Sequence, residues 1–142
     1  MAFPYRKILC PVDFDDNSLN ALDRAIEIAR HFQSAVVLIH VIPMVLEFAE
    51  PSVAADYYQA QEKPIREKLD EVAQQKLADI DHQITVYTGD VAGCILRAER
   101  KFAPDLVVMA THGRGTIAHL LLGSVAEAVV RKSTCPVLTI RS

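Results

Sequence analysis

The chain has 142 residues, 51% of them apolar and 6% aromatic, with no Trp and a formal net charge of −3. This length suits one domain with a core large enough to stand without staples. The charge leaves no basic face for nucleic acid phosphates, so nucleic acid is excluded as a partner. Three cysteines, Cys10, Cys94 and Cys135, are odd in number and far apart, and read as small apolar filler in a reducing cytoplasm. The opening MAFPYRKILCPV lacks the apolar run of a signal peptide. No later segment approaches the roughly 20 apolar residues that span a bilayer. A soluble cytoplasmic protein with no membrane partner is expected.

Short apolar runs alternate with helical patterns along the chain. Lys7–Val12 (KILCPV) reads as a first strand with Pro11 at its end, where a ladder donor is missing. From Ser18 to Phe32 the apolar positions Leu22, Ala25, Ile26 and Ala29 form a helical stripe. Ala35–Ile42 (AVVLIHVI) is a continuous apolar run, the signature of a strand buried on both faces. Pro43–Asp56 has no period and reads as a loop with irregular or helical pieces. Ile65, Leu69, Val72, Ala73 and Leu77 then mark a helix for which Pro64 is a start or a kink. Ile84–Tyr87 is a third strand, and the turn Thr88-Gly89-Asp90 caps a helix striped by Val91, Ile95, Ala98 and Phe102. Strand four is Leu106–Ala110, helix four Ser124–Lys132 and strand five Val137–Ile140.

This alternation predicts a single-domain α/β fold over residues 1–142: an open twisted five-stranded parallel sheet with helices on both faces, Rossmann-like. Right-handed crossovers make 3-2-1-4-5 the natural strand order. Strands one and four are then neighbours at the switch point, and ligands bind at the carboxyl ends of such strands. The tips there are Val12-Asp13 and Met109-Ala110. Strand five becomes an edge, and its apolar Val137–Ile140 invites pairing with a second copy as a twofold homodimer.

The segment DLVVMATHGRGTIAHLLLGS, Asp105–Ser124, carries the most chemistry. A buried strand runs into a glycine-bearing loop, and Gly123-Ser124 then opens a helix. Backbone N–H groups gathered at a loop and a helix N-terminus favour an anion, most often phosphate. Gly113 either admits phosphate oxygens to the backbone or simply tightens a turn. Arg114 reaches a phosphate or is solvated. Ser124 and Glu127 spell S-x-x-E, a capping box. Even so, the backbone of Ser124 and Val125 can still cradle phosphate, and Gly123 offers a further donor. Asp15 and Asp16 suit a helix N-terminus through the macrodipole. Beside a phosphate they would repel it, unless Mg²⁺ or Mn²⁺ arrives with the nucleotide. The histidines lack metal-ligand spacing, and His112 alone lies in the loop, as a supporting hydrogen-bond partner. No G-x4-G-K-[ST], no G-x-S-x-G and no kinase signature set occurs, so no catalytic residue is assigned.

Ala110-Thr111-His112-Gly113, nine further residues and Gly123-Ser124 resemble the G-x2-G-x9-G-[ST] pattern of the universal stress protein family, in its nucleotide-binding branch. Ala110 replaces the first glycine. The opening ILCPVDF, the HVIP end of strand two, the TGD turn and the closing CPVLTIR carry the same resemblance across nearly the whole chain. It implies an adenine-nucleotide-binding stress-response regulator, a homodimeric sensor or adaptor that takes ATP or AMP and serves an unidentified protein client. It also implies that Asp13 bonds the ribose or adenine edge and that the Val41 main chain reads adenine. The candidate contacts are Pro11, Val12, Asp13, Val41, Met109, Ala110, His112, Gly113, Arg114, Gly123, Ser124 and Val125. If Ala110 requires positive φ, it costs on the order of 1 kcal/mol; otherwise its methyl narrows the floor of the pocket. A nucleotide-independent dimeric interaction module and a slow ATP hydrolase are the alternatives.

Overall fold

The computed structural model describes residues 3–46, 48–113 and 121–141. Its elements run β1 (Lys7–Pro11), α1 (Asp16–Phe32), β2 (Ala35–Pro43), α2 (Pro51–Lys76), β3 (His82–Gly89), α3 (Val91–Phe102), β4 (Leu106–Ala110), α4 (Ser124–Lys132) and β5 (Val137–Ile140). The strands form one sheet in the order β3-β2-β1-β4-β5, and every neighbouring pair is parallel. This is the expected architecture and order.

Alternation along the strands divides the core in two. Ile8, Cys10 and Val12 turn to one face with Val36, Leu38, Leu106 and Val108, under Leu22 and Ala25 of α1 and Leu69 and Ala73 of α2. Leu9, Val37, Ile39, Val41, Val107 and Met109 turn to the other, under Ile95 and Ala98 of α3 and Ala126 and Val129 of α4. Both faces are therefore covered, which is why these strands read as unbroken apolar runs. Helices leave β1 and β4 toward opposite faces. Asp105 ties the start of β1 to that of β4, accepting the N–H groups of Arg6 (2.9 Å) and Lys7 (3.0 Å). The ladder between the two strands then runs Ile8↔Leu106 and Leu9↔Val107, and the strand ends beyond it border a cleft.

Local chemistry sets the helix starts. Asp15 is the N-cap of α1 and accepts the Ser18 N–H at 2.8 Å, so α1 begins at Asp16, ahead of the expected Ser18. Asp90 caps α3 through the Gly93 N–H at 2.8 Å, as the TGD turn predicts. Gly89 has φ +151, and a Cβ there would lie 3.1 Å from Cys94 Sγ, so this turn needs glycine. The largest departure from expectation is α2. It starts at Pro51, with proline at its first position, and Pro64 is an internal residue rather than the start. The helix buries Leu69 and Ala73, so its N-terminal half carries no apolar stripe for a sequence pattern to show. At Pro64 the chain forgoes one backbone bond, to Ala60, on an exposed surface. β5 is a four-residue edge strand with Leu138 39% exposed.

Candidate functional site

A cleft of about 390 Å³ opens where β1 and β4 end. Pro11, Val12 and Asp13 border it from the β1 exit, and Val41 from β2. Met109, Ala110, His112 and Gly113 border it from the β4 exit, and Gly123, Ser124 and Val125 from the start of α4. Every candidate residue from the sequence except Arg114 thus lines one space; Arg114 lies outside the described residues. Residues separated by more than 100 positions in the chain meet here because the sheet brings β1 and β4 side by side.

Asp13 is held from behind. Its Oδ1 accepts the Ser18 hydroxyl at 2.8 Å and the Asp15 N–H at 3.1 Å. Its Oδ2 faces Gly113, where an added Cβ would stand 3.3 Å away. Glycine at 113 is therefore a matter of space, since its φ is not in the left-handed region. The carboxyl of Asp15 is raised above its ordinary value, chiefly by burial and next by its hydrogen bond with Asp13. Ala110 closes β4 in strand conformation, outside the positive-φ set, so its methyl adds to the wall without backbone strain. The conditional cost at this position does not arise.

The α4 start differs from the capping-box expectation. The N-cap is Gly123, at φ −69 and ψ 166, and no side chain caps the helix. Ser124 therefore occupies the first helical position, and Glu127 falls one residue too far along for the reciprocal bond. Glu127 pairs instead with Arg131 at 2.6 Å, on the exposed side. The Gly123 N–H is also not a spare donor: it donates to the Thr111 carbonyl at 2.8 Å. The amides of Ser124, Val125 and Ala126 belong to the first turn, where no intrahelical acceptor exists. All three residues line the cleft, at the positive end of the α4 dipole.

Several lining residues carried no sequence signal. Thr111 is buried, donates its N–H to the Ile140 carbonyl at 3.0 Å, and lies within 3.1 Å of His112 Nδ1 through its hydroxyl. Phe14 follows Asp13 with φ 67, an uncommon conformation for a bulky side chain. Its ring stacks on His40, with centroids 4.7 Å apart at 27°. His40 Nδ1 lies 2.7 Å from the Val12 carbonyl, which can only accept, so this nitrogen carries the proton. Lys68 Nζ sits 4.5 Å from the Phe14 ring centroid, and Ile65 stands one turn earlier on α2. None of these residues was singled out in the sequence, although His40 is a polar residue inside the apolar run AVVLIHVI.

Chemically, the cleft combines an apolar wall (Val12, Val41, Met109), an anchored carboxylate and a helix N-terminus flanked by a tight glycine. Such a surface accepts a flat apolar group at one end and an anion at the other. The family model for the universal stress protein family matches residues 4–141. Universal stress protein MJ0531 of Methanocaldococcus jannaschii is 33% identical over 142 residues, covering 96% of this chain and 82% of that protein. The solved structure of MJ0577 from the same organism superposes with a TM-score of 0.89 at 24% identity, covering 97% of this chain and 96% of that one. A universal stress protein crystallised in complex with cAMP matches with a TM-score of 0.70 at 27% identity, over 96% of this chain and 97% of that one. The matched span, the strand order and the relatives agree, and the chain belongs to the universal stress protein family.

Proposed function

We propose that the chain binds an adenine nucleotide, ATP or AMP, in the β1/β4 cleft and works as a homodimeric sensor or adaptor of the stress response. One observation carries the reading: candidate residues from four separate segments border one space at the sheet's switch point. The base lies against Val12, Val41 and Met109, where the Val41 main chain reads its edge. Asp13 accepts from a ribose hydroxyl, with Pro11 beneath. Phosphates rest on the amides of Gly113, Ser124 and Val125, where the α4 dipole favours negative charge. Ala110 floors this end, Gly123 holds the α4 start in place, and His112 and Arg114 support the phosphate side. A Mg²⁺ or Mn²⁺ ion comes with the nucleotide and offsets the nearby Asp13 and Asp15 carboxylates. The relative crystallised with cAMP supports the ligand class.

The exposed apolar edge of β5 pairs antiparallel with its copy to form the dimer. A ligand acts on an unidentified client only through different affinity for two conformations, and the junction of α4 with the Thr111 loop is where these differ. The test is mass spectrometry of the purified, denatured protein for co-purified adenine nucleotide, followed by titration calorimetry of parent and Gly123→Val. Nucleotide in the parent and weakened binding in the variant are expected. No co-purified nucleotide together with no heat from ATP or AMP would overturn the reading.

A further inference from the structure

Among the described residues, Lys68 is the one Lys or Arg that lines the cleft. It belongs to α2, not to the strand tips and the α4 start that supply the other polar contacts. Ile65 and Lys68 sit three apart on α2 and so share the helix face turned to the cleft. The next residue, Leu69, is fully buried and fixes the helix backbone at this point. The lysine head is not fixed in the same way: its residue is exposed, and Nζ rests 4.5 Å from the Phe14 ring centroid. The Phe14 ring is half-buried, and a cation over a ring is held more weakly than by a charge-assisted hydrogen bond to phosphate. Lys68 shares the cleft with Gly113, Ser124 and Val125, and its flexible four-carbon stem lets the ammonium change partner there.

The β1 exit makes that charge matter. Asp13 presents Oδ2 toward Gly113, so the β1 exit sets a carboxylate beside the place proposed for phosphate. Phe14 is held in position by stacking on His40, and its left-handed backbone turns the ring out of the strand line toward α2. Phe14 thus holds the lysine on the lining of the cleft.

We propose that Lys68 is the residue that makes this cleft prefer phosphorylated nucleosides over the bare nucleoside, by leaving the Phe14 ring to pair with a phosphate oxygen. The inference rests on the nucleotide reading above. Calorimetry with adenosine, AMP and ATP at two salt concentrations, on the parent, Lys68→Gln and Lys68→Arg, tests it. Lys68→Gln is expected to weaken ATP about tenfold, AMP less and adenosine not at all, and to flatten the salt dependence of ATP binding; Lys68→Arg retains most of the preference. Equal weakening of adenosine and ATP would show that the residue acts through packing, and an unchanged ATP affinity would remove it from the site; either overturns the proposal while leaving the nucleotide reading intact. A parent protein that binds none of the three ligands overturns both.

Discussion

Replacing Gly113 by Ala probes the cleft with a single methyl. The added carbon would stand 3.3 Å from Asp13 Oδ2, slightly inside ordinary contact. The carboxylate cannot simply swing away, because its Oδ1 is anchored to the Ser18 hydroxyl at 2.8 Å and the Asp15 amide at 3.1 Å. A shift of a few tenths of an ångström suffices, so the folded state loses about 1 kcal/mol, the low end for overpacking. For a chain of this length that lowers Tm by about 3–5 °C. The ligand suffers more. A phosphate that approaches the residue 113 amide is held off by the methyl and loses a hydrogen bond to a charged group, worth about 1.5–3 kcal/mol. Affinity for ATP or AMP should therefore fall about 10- to 100-fold, measured by titration calorimetry beside a thermal melt. A variant that melts as expected yet binds ATP as tightly as the parent would refute the placement of phosphate against this glycine.

Three other outcomes are expected. Glu99 is buried, and its Oε1 accepts both the N–H and the hydroxyl of Thr134 at 2.7 Å, so Glu99→Ala should cost about 2–3 kcal/mol in urea unfolding. Burial alone would raise this carboxyl, but the two hydrogen bonds from Thr134, with the nearby Ser133 hydroxyl and Cys135 backbone, outweigh it and hold it below its ordinary value. A depressed folded value adds stability above the unfolded value that is lost as pH falls through the folded one, so Glu99→Gln should flatten the decline in unfolding free energy below about pH 4.5. Gln33 ends α1 at φ 57, a left-handed position, so Gln33→Gly should raise stability by about 0.5 kcal/mol, read as a small rise in Tm. Leu138→Lys places a charge on the β5 edge and should convert the proposed dimer to monomers in light scattering at micromolar concentration; a dimer that persists in the variant would refute pairing through β5.

Much of this architecture was legible because the core is built on strict alternation. Strands such as Ala35–Pro43, buried on both faces, announce themselves as apolar runs, and their order follows from crossover handedness. The tips of β1 and β4 were legible for the same reason, since topology puts them together wherever this order holds, whereas Val41 and the role of Asp13 came from the family resemblance. The first half of α2 was not legible, because it packs against little and so shows no period, and of the two readings of Pro64, start or kink, the start does not hold. The Ser124 cap misled through a shift of one residue, a distinction that only backbone angles at Gly123 reveal. The grouping of Phe14, His40 and Lys68 depends on three elements meeting in space, and nothing local encodes it.

The peptide groups around Thr111 have a consequence beyond the cleft wall. The residue's carbonyl receives the amide that begins α4, while its own amide reaches the last residue of the edge strand. The cleft and the outer rim of the sheet are thereby hinged on one amino acid. A molecule that reseats α4 and a chain that docks along β5 would pull on the same joint. Thermodynamic reciprocity then requires that each help or hinder the other by an identical free energy, so occupancy and assembly are properties to be measured jointly.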